Sequence, residues 1–293
     1  MEKAKVYFSK EITPQNVVNI FKKLNKELPG KIAVKVHSGE RGNQNYLHPE
    51  FMKPIIEYVK GTVVECNTAY EGARNTTEKH TKLMEEHGWS KFFDVDIMDA
   101  EGNDKILEIP NGKIINKNYV GKNIDNYDSM LVLSHFKGHP MGGYGGALKQ
   151  LSIGVASGHG KRYIHCVGDE NGTEEDMFKV DQNQFLEAMA DSASSVVKYF
   201  GENIAYINVM CNMSVDCDCC YIAEDPCMKD IGILASLDPI AIDQACIDLV
   251  KNSNDPGKEH FLERVNSKNG THTIDSAVDL GFGTKEYELI NID

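Results

Sequence analysis

Apolar positions along this chain follow two rhythms that alternate from the start: short continuous runs, and repeats at helical spacing. Residues 5–8 read as a strand. Thr13 then caps a helix with Pro14 at its first position, and Val17, Phe21, Leu24 and Leu28 share one face as far as Pro29-Gly30. Residues 32–37 are the next strand, and His48-Pro49 opens a helix through Ile56. A strand at 62–66 and a helix at 77–87, stopped by Gly88, follow. That order predicts an α/β fold, with a mainly parallel sheet and helices flanking it.

Between 96 and about 123 the rhythm changes. Residues 105–108, Asn111-Gly112 and 113–115 predict a tight hairpin, a small β insertion. A boundary between two lobes would fall here; otherwise residues 1–293 read as a single domain. Residues 129–133 resume as a buried strand, ahead of a glycine-rich stretch and a helix predicted over 147–156. Asp181 caps a helix that runs to Phe200 and stops at Gly201. Strands at 204–210 and 230–235 follow, and Asp238-Pro239 begins a helix carrying Ile242, Ala245, Cys246 and Leu249.

At 293 residues, 41% hydrophobic and 26% charged, the chain can bury a substantial core. Its net charge of −13 and lack of any Lys/Arg run would repel a polyanion, so nucleic acid is not an expected partner. No stretch approaches the roughly 20 apolar residues of a membrane span. The N-terminus enters its first strand without a signal-peptide core, so the expected location is cytoplasmic. In that compartment the eight cysteines are expected as thiols or metal ligands rather than disulfides.

In open parallel sheets, ligands bind outside the carboxyl ends of the strands. Unusual polar residues follow several predicted strands: Lys35, His37 and Glu40; Glu65 and Asn67, with Arg74, Thr77 and His80; His135, Lys137 and His139; Ser236 and Asp238. Lys35, His37, Lys137 and His139 are therefore candidate catalytic groups, with His135 as a further acid/base group or ligand. Cys211, Cys217, Cys219, Cys220 and Cys227 lie between two predicted strands, and such soft donors suit zinc, iron or an iron–sulfur cluster. Cys217-Asp218-Cys219 makes a short chelating bite that Cys211 or Cys227 could close. The spacing is neither paired Cys-x-x-Cys nor a ferredoxin run, and a low-pKa thiol without metal is the other reading. Cys66, Cys166 and Cys246 fall inside regular elements and read as small buried hydrophobes.

The stretch from Lys137 to Gly146 follows a strand and precedes a helix. Gly142, Gly143, Gly145 and Gly146, with Lys149, could cradle a phosphate or carboxylate at that helix start. This suggests a second class of function, a non-redox enzyme or binding protein for a small phosphorylated or carboxylated molecule; a mobile turn is the other reading.

Four segments carry a family resemblance: residues 35–40 (KVHSGE), Lys137-Gly138-His139 with the glycines up to Lys149-Gln150, Cys217-Asp218-Cys219, and residues 230–243 (DIGILASLDPIAID). Together they resemble domain of unknown function 362, a family often labelled as iron–sulfur centre proteins, across nearly the whole chain. The resemblance implies a core α/β form without the ferredoxin module that many relatives carry: after Gly160-Lys161 the chain passes straight to the helix beginning near 182. It implies a redox protein using an iron–sulfur cluster or a single Fe or Zn ion at Cys217 and Cys219. Lys35, Lys137 and Lys149 would hold a small anionic substrate, and without that module electrons would come from a separate ferredoxin-type donor.

Overall fold

The computed structural model describes residues 3–293. Strand β1 (Ala4–Ser9) leads to α1 (Pro14–Lys23), which opens as expected, with the Thr13 hydroxyl accepting the Asn16 N–H. The helix is shorter than its apolar repeat, because Asn25 takes a left-handed conformation (φ 48°) just past the end. Then come β2 (Ile32–Lys35), α2 (Pro49–Val59), β3 (Thr62–Glu65), α3 (Thr77–Glu86), the short α4 (Trp89–Phe92) and β4 (Val95–Ile97). Strands β5 (Asp104–Glu108) and β6 (Lys117–Gly121) precede β7 (Ser129–His135). Next are β8 (Lys137–His139), β9 (Gly143–Gly145), α5 (Ala147–Lys149), a π-helical turn at Gln150–Gly154, and α6 (Gly158–His165). The chain closes with α7 (Gln182–Phe200), β10 (Ile204–Met210), β11 (Gly232–Ser236), α8 (Pro239–Asn252), α9 (Lys258–Ser267), α10 (His272–Asp279) and β12 (Tyr287–Asn291).

Eight strands form one sheet in the order β12-β1-β11-β10-β7-β2-β3-β4. Its central strands are buried on both faces, which is why they read as continuous apolar runs. In β7, Met130 and Val132 face the layer that holds α7 and α8, while Leu131 and Leu133 face the layer of α1 and α2. All neighbouring pairs are parallel except those of β11, which is antiparallel to both β1 and β10.

That reversal corrects one expectation. Ser236 and Asp238 leave the sheet at the edge opposite the other strand ends. The Asp238 carboxylate caps α8, accepting N–H bonds from Ile240 (2.8 Å) and Ala241 (3.0 Å), and also from Thr284 (2.9 Å). Two further differences have local causes. The β5–β6 hairpin forms, but Glu108 pairs with Lys117, so its connection spans 109–116 instead of a tight Asn-Gly turn. Asp191 of α7 holds that wide loop by accepting the Lys113, Ile114 and Ile115 N–H groups at 2.9, 2.7 and 3.0 Å. The predicted helix over 147–156 is instead α5 followed by the wider π turn, which places the Gln150 amide oxygen 3.5 Å from Lys35 Nζ. Among the described residues no helix is long and apolar enough to cross a membrane.

Candidate metal and thiol site

The chain between β10 and β11 carries the thiols. It is seated on the segment after β2: Asn43 donates to the carbonyls of Cys217 (3.3 Å) and Cys220 (2.8 Å), Gln44 to Ala223, and Asn45 to Glu224. The Glu40 N–H donates to the Asp218 carbonyl at 2.8 Å. These bonds satisfy the polar backbone that such a loop would otherwise bury unpaired. On its other side the loop lies on β8, where the Gly138 N–H donates to the Ser214 carbonyl at 2.8 Å. A Cβ at Gly138 would stand 2.3 Å from the Val215 carbonyl oxygen, so only glycine permits this approach. The side chains on either side of it, Lys137 and His139, are thereby delivered to the thiol loop.

Beneath the thiols lies a layer of buried charge. Lys35 pairs with Glu65 at 2.7 Å, and Arg74 with Glu40 at 3.2 Å and Glu65 at 3.9 Å. Asp218 bonds Lys137 and His135, each at 2.9 Å. Burial opposes ionisation of Glu65, but Lys35 and the neighbouring cations hold its carboxyl well below the usual range. Burial likewise opposes ionisation of Asp218, and His135 and Lys137 overcome it.

Three donor atoms meet above this layer. One each from His139, Cys217 and Cys219 lie within 4.8 Å of one another, an arrangement that could hold a metal ion. Burial raises the Cys217 thiol, but a hydrogen bond from Cys219 and the charges of Lys149 and Lys137 bring it well below the ordinary thiol value. Cys219, donating to that sulfur, is pushed the other way and keeps its proton. Lys149 Nζ stands 3.7 Å from the Cys217 sulfur, and the Cys219 N–H donates to it at 3.4 Å. Cys217 should therefore be a thiolate at neutral pH. Ultraviolet thiolate absorbance is expected to persist as the pH falls well below about 8.5 and to be missing in Cys217→Ser. Its absence from the unmodified protein at pH 7 would show the assignment to be wrong.

Burial, aided by Lys149, lowers His139 to about 4, and burial, aided by Arg74, lowers His37 to about 4, so both rings are neutral. His139 Nδ1 accepts the N–H groups of Met141 (3.1 Å) and Gly142 (2.8 Å). His37 Nδ1 accepts the Gly39 N–H at 3.1 Å. A neutral imidazole whose Nδ1 accepts carries its proton on Nε2. His139 Nε2, 3.9 Å from the Cys219 sulfur, thus points a proton into the thiol pair.

Sequence reasoning brought together His37, His139, Cys217, Cys219 and Lys149, and the structure places them in one neighbourhood. Lys35 and Lys137 lie there too, each already paired with a carboxylate. Cys211 does not join them. Its thiol sits in the apolar layer against α1 and α2, and burial pushes it up to about 12. Cys227 lies apart as well, its sulfur against the Met213 carbonyl at 3.3 Å. The glycine-rich stretch folds into the β8–β9 hairpin, and its backbone donors face inward. The Gly142 N–H goes to His139, while the Ala147 and Leu148 N–H groups go to the Asp243 carboxylate at 2.8 and 3.0 Å. The anion at that helix start is the protein's own. Gly143 packs on Gly270, Gly146 on Asp243, and Gly145 beside Lys137 and Lys149.

A cavity of about 190 Å³ opens beside the thiols, lined by Lys35, His37, Arg74, His139, Lys149 and Cys219, and also by Lys161. Lys161 was not singled out from the sequence. Its clue is its place on α6, where Ile164 and His165 follow at helical spacing and are buried with it.

The family described as Domain of unknown function (DUF362) matches residues 32–248. The chain belongs to that family. No curated protein matches it. Among solved structures, the lactate racemase apoprotein from Thermoanaerobacterium thermosaccharolyticum is 14% identical with a TM-score of 0.40, over 69% of this chain and 50% of that one. A protein from Thermotoga maritima is 10% identical with a TM-score of 0.41, over 91% of this chain and 59% of that one. This DUF362 chain thus spans less than two thirds of either structure. Its donor set bears on the iron–sulfur label of the family. Two thiols and an imidazole suit one borderline-soft ion with a position left open, whereas clusters are commonly held by four thiolates. Ligation by His139 Nε2 requires the neutral ring to carry its proton on Nδ1, where the Met141 and Gly142 N–H groups now donate, and requires Cys219 to release its proton; with that tautomer change the donor set fits one ion.

Proposed function

We propose that this protein is a metal-linked enzyme of redox type acting on a small organic anion, with Cys217, Cys219 and His139 as the ligands. The observation that carries the reading is the convergence of those three donors at a cavity whose wall also bears Lys149 and Lys161. A bound iron ion would supply Lewis acidity and one-electron chemistry there, and zinc the Lewis acidity alone. Lys149 and Lys137 hold negative charge on the sulfurs. His37, neutral and turned by Gly39, offers its Nε2 proton beside Cys217. Lys35, whose pKa burial lowers, is the second proton-holding group. A ferredoxin-type donor would supply electrons. Cys219 and Cys220 border a second cavity that opens beside the exposed Tyr221 and Ile222, where the thiols come nearest the surface.

The test is anaerobic titration with Fe(II), Zn(II) and Co(II). One equivalent should bind, with a sulfur-to-cobalt charge-transfer band that disappears in Cys217→Ser. Affinity should rise with pH, since binding displaces protons. A chain that takes up no metal under these conditions would overturn this reading in favour of a second. In that second reading the Cys217 thiolate, held by Lys149 and the His37 and His139 N–H groups, is itself the reactive group, without metal or redox chemistry.

A further inference from the structure

The charges around the cavity are unevenly matched. Four cations line it: Lys35, Arg74, Lys149 and Lys161. Lys35 is paired with Glu65, Arg74 with Glu40 and Glu65, and Lys149 faces the Cys217 sulfur. Lys161 is different. It is 7% exposed, and among the described residues no carboxylate lies within ion-pair distance of it. Its Nζ donates to the Ala156 carbonyl at 2.5 Å and reaches the Cys66 carbonyl at 3.5 Å, leaving one of three N–H donors. A buried ammonium without a counter-charge is costly, and an anion entering the cavity would supply one.

Resting on the reading of this cavity as the substrate site, we propose that Lys161 is its anion anchor and that the substrate is a small monocarboxylic acid. Three observations set the class. The cavity leaves one cation unmatched, so one negative charge suffices. The glycine-loop N–H groups that would cradle a phosphate are committed to Asp243 and His139. Ile153, Met141, Met177 and Phe178 give the cavity an apolar wall for the rest of the molecule. At about 190 Å³ it falls below the roughly 300–1,000 Å³ of sites for drug-sized ligands, which limits the acid to a few carbons.

The experiment is calorimetric titration of butyrate, with inorganic phosphate and succinate alongside, into wild-type protein both metal-free and metal-loaded. Butyrate should bind both forms in preference to phosphate and succinate. Lys161→Met, which keeps the apolar stem, should weaken butyrate by about tenfold to a hundredfold, while metal stoichiometry stays unchanged and the protein still folds. Lys161→Arg should restore part of the affinity. Equal or tighter binding of phosphate or succinate, no butyrate binding, or undiminished butyrate affinity in Lys161→Met would each overturn the inference. If Lys161→Met does not fold, Lys161→Arg decides in its place: a folded Arg variant with affinity identical to wild type for all three anions would refute a specific ammonium anchor. Failure of metal to bind, with Lys161-dependent butyrate binding intact, would remove the metal reading and leave this one standing.

Discussion

Asp243→Ala is expected to unfasten the glycine-rich hairpin and to cost the fold several kcal/mol. The Asp243 side chain, fully buried on α8, accepts from the Ala147 N–H at 2.8 Å, Leu148 N–H at 3.0 Å, Asn208 Nδ2 at 2.8 Å and Tyr144 hydroxyl at 3.3 Å. Each buried donor left without a partner costs about 1–3 kcal/mol, so even the low end exceeds an ordinary point mutation. No neighbouring side chain can replace it at the hairpin, since Gly146 has none and a Cβ there would stand 2.4 Å from the carboxylate. Burial also pushes the Asp243 carboxyl up to about 6, against the pull of its four donors. A folded value above the unfolded one, about 3.9, means this group's contribution is complete below the unfolded value. It is lost as the pH rises through about 6. Urea unfolding of wild type against Asp243→Asn between about pH 4 and 7 isolates that slope. Parallel profiles would rule out a raised carboxyl, and an Asp243→Ala protein as stable as wild type would rule out the fastening role.

Most of the strand–helix order was legible because the central strands carry apolar residues on both faces and the helices open on recognisable caps. Thr13, Asp181 and Asp238 each cap the helix that follows them. Strand direction was not legible. An apolar run such as that of β11 looks the same whichever way it enters the sheet, and its reversal carried Asp238 to the far edge. The Asn111-Gly112 turn misled for another reason. Local turn chemistry competed with three hydrogen bonds to Asp191, about eighty residues later in the chain, and lost. Strand β12 alternates weakly and is half exposed, so it has no apolar run to announce it.

The candidate site divides along the same line. Cys217, Cys219, His139 and His37 stood out because soft donors and histidines are scarce and followed strands that proved parallel. The partners that decide their chemistry did not stand out, because a buried ion pair leaves no local pattern. Lys35 and Lys137 looked like free anion anchors until Glu65 and Asp218 were seen against them. Lys161, the cation without a carboxylate, drew no reading from the sequence. The glycines looked like a phosphate cradle, and the anion they receive comes from α8, about a hundred residues away. In each case the missing information was the identity of a distant counter-charge.

Asp218→Ala should be the most damaging change within the thiol loop, costing on the order of 3–5 kcal/mol. His135 turns Nδ1 to the Asp218 carboxylate at 2.9 Å and Nε2 to the Cys211 carbonyl at 2.6 Å. The ring thus bridges the Asp218 carboxylate and the Cys211 backbone, and loses one of its two partners without Asp218. Lys137 adds a cation at 2.9 Å. Removing the one carboxylate therefore leaves the buried Lys137 ammonium without its counter-charge and the His135 Nδ1 without its partner. Because His135 and Lys137 hold the Asp218 carboxyl below its usual range, despite burial, its contribution is present above the unfolded value. It should decline progressively as the pH falls below about 3.9 and be gone once the pH is below the lower folded value. The double variant Asp218→Ala/Lys137→Met removes one charge of each sign and should recover part of the loss. Denaturant unfolding of the singles and the double measures that coupling. A cost for Asp218→Ala within about 1 kcal/mol, or simple additivity in the double, would show that the carboxylate does not hold the loop. If it does hold it, the single variant should also lose metal uptake, because Cys217 and Cys219 flank Asp218 and reach His139 only while that carboxylate pins the loop to β8.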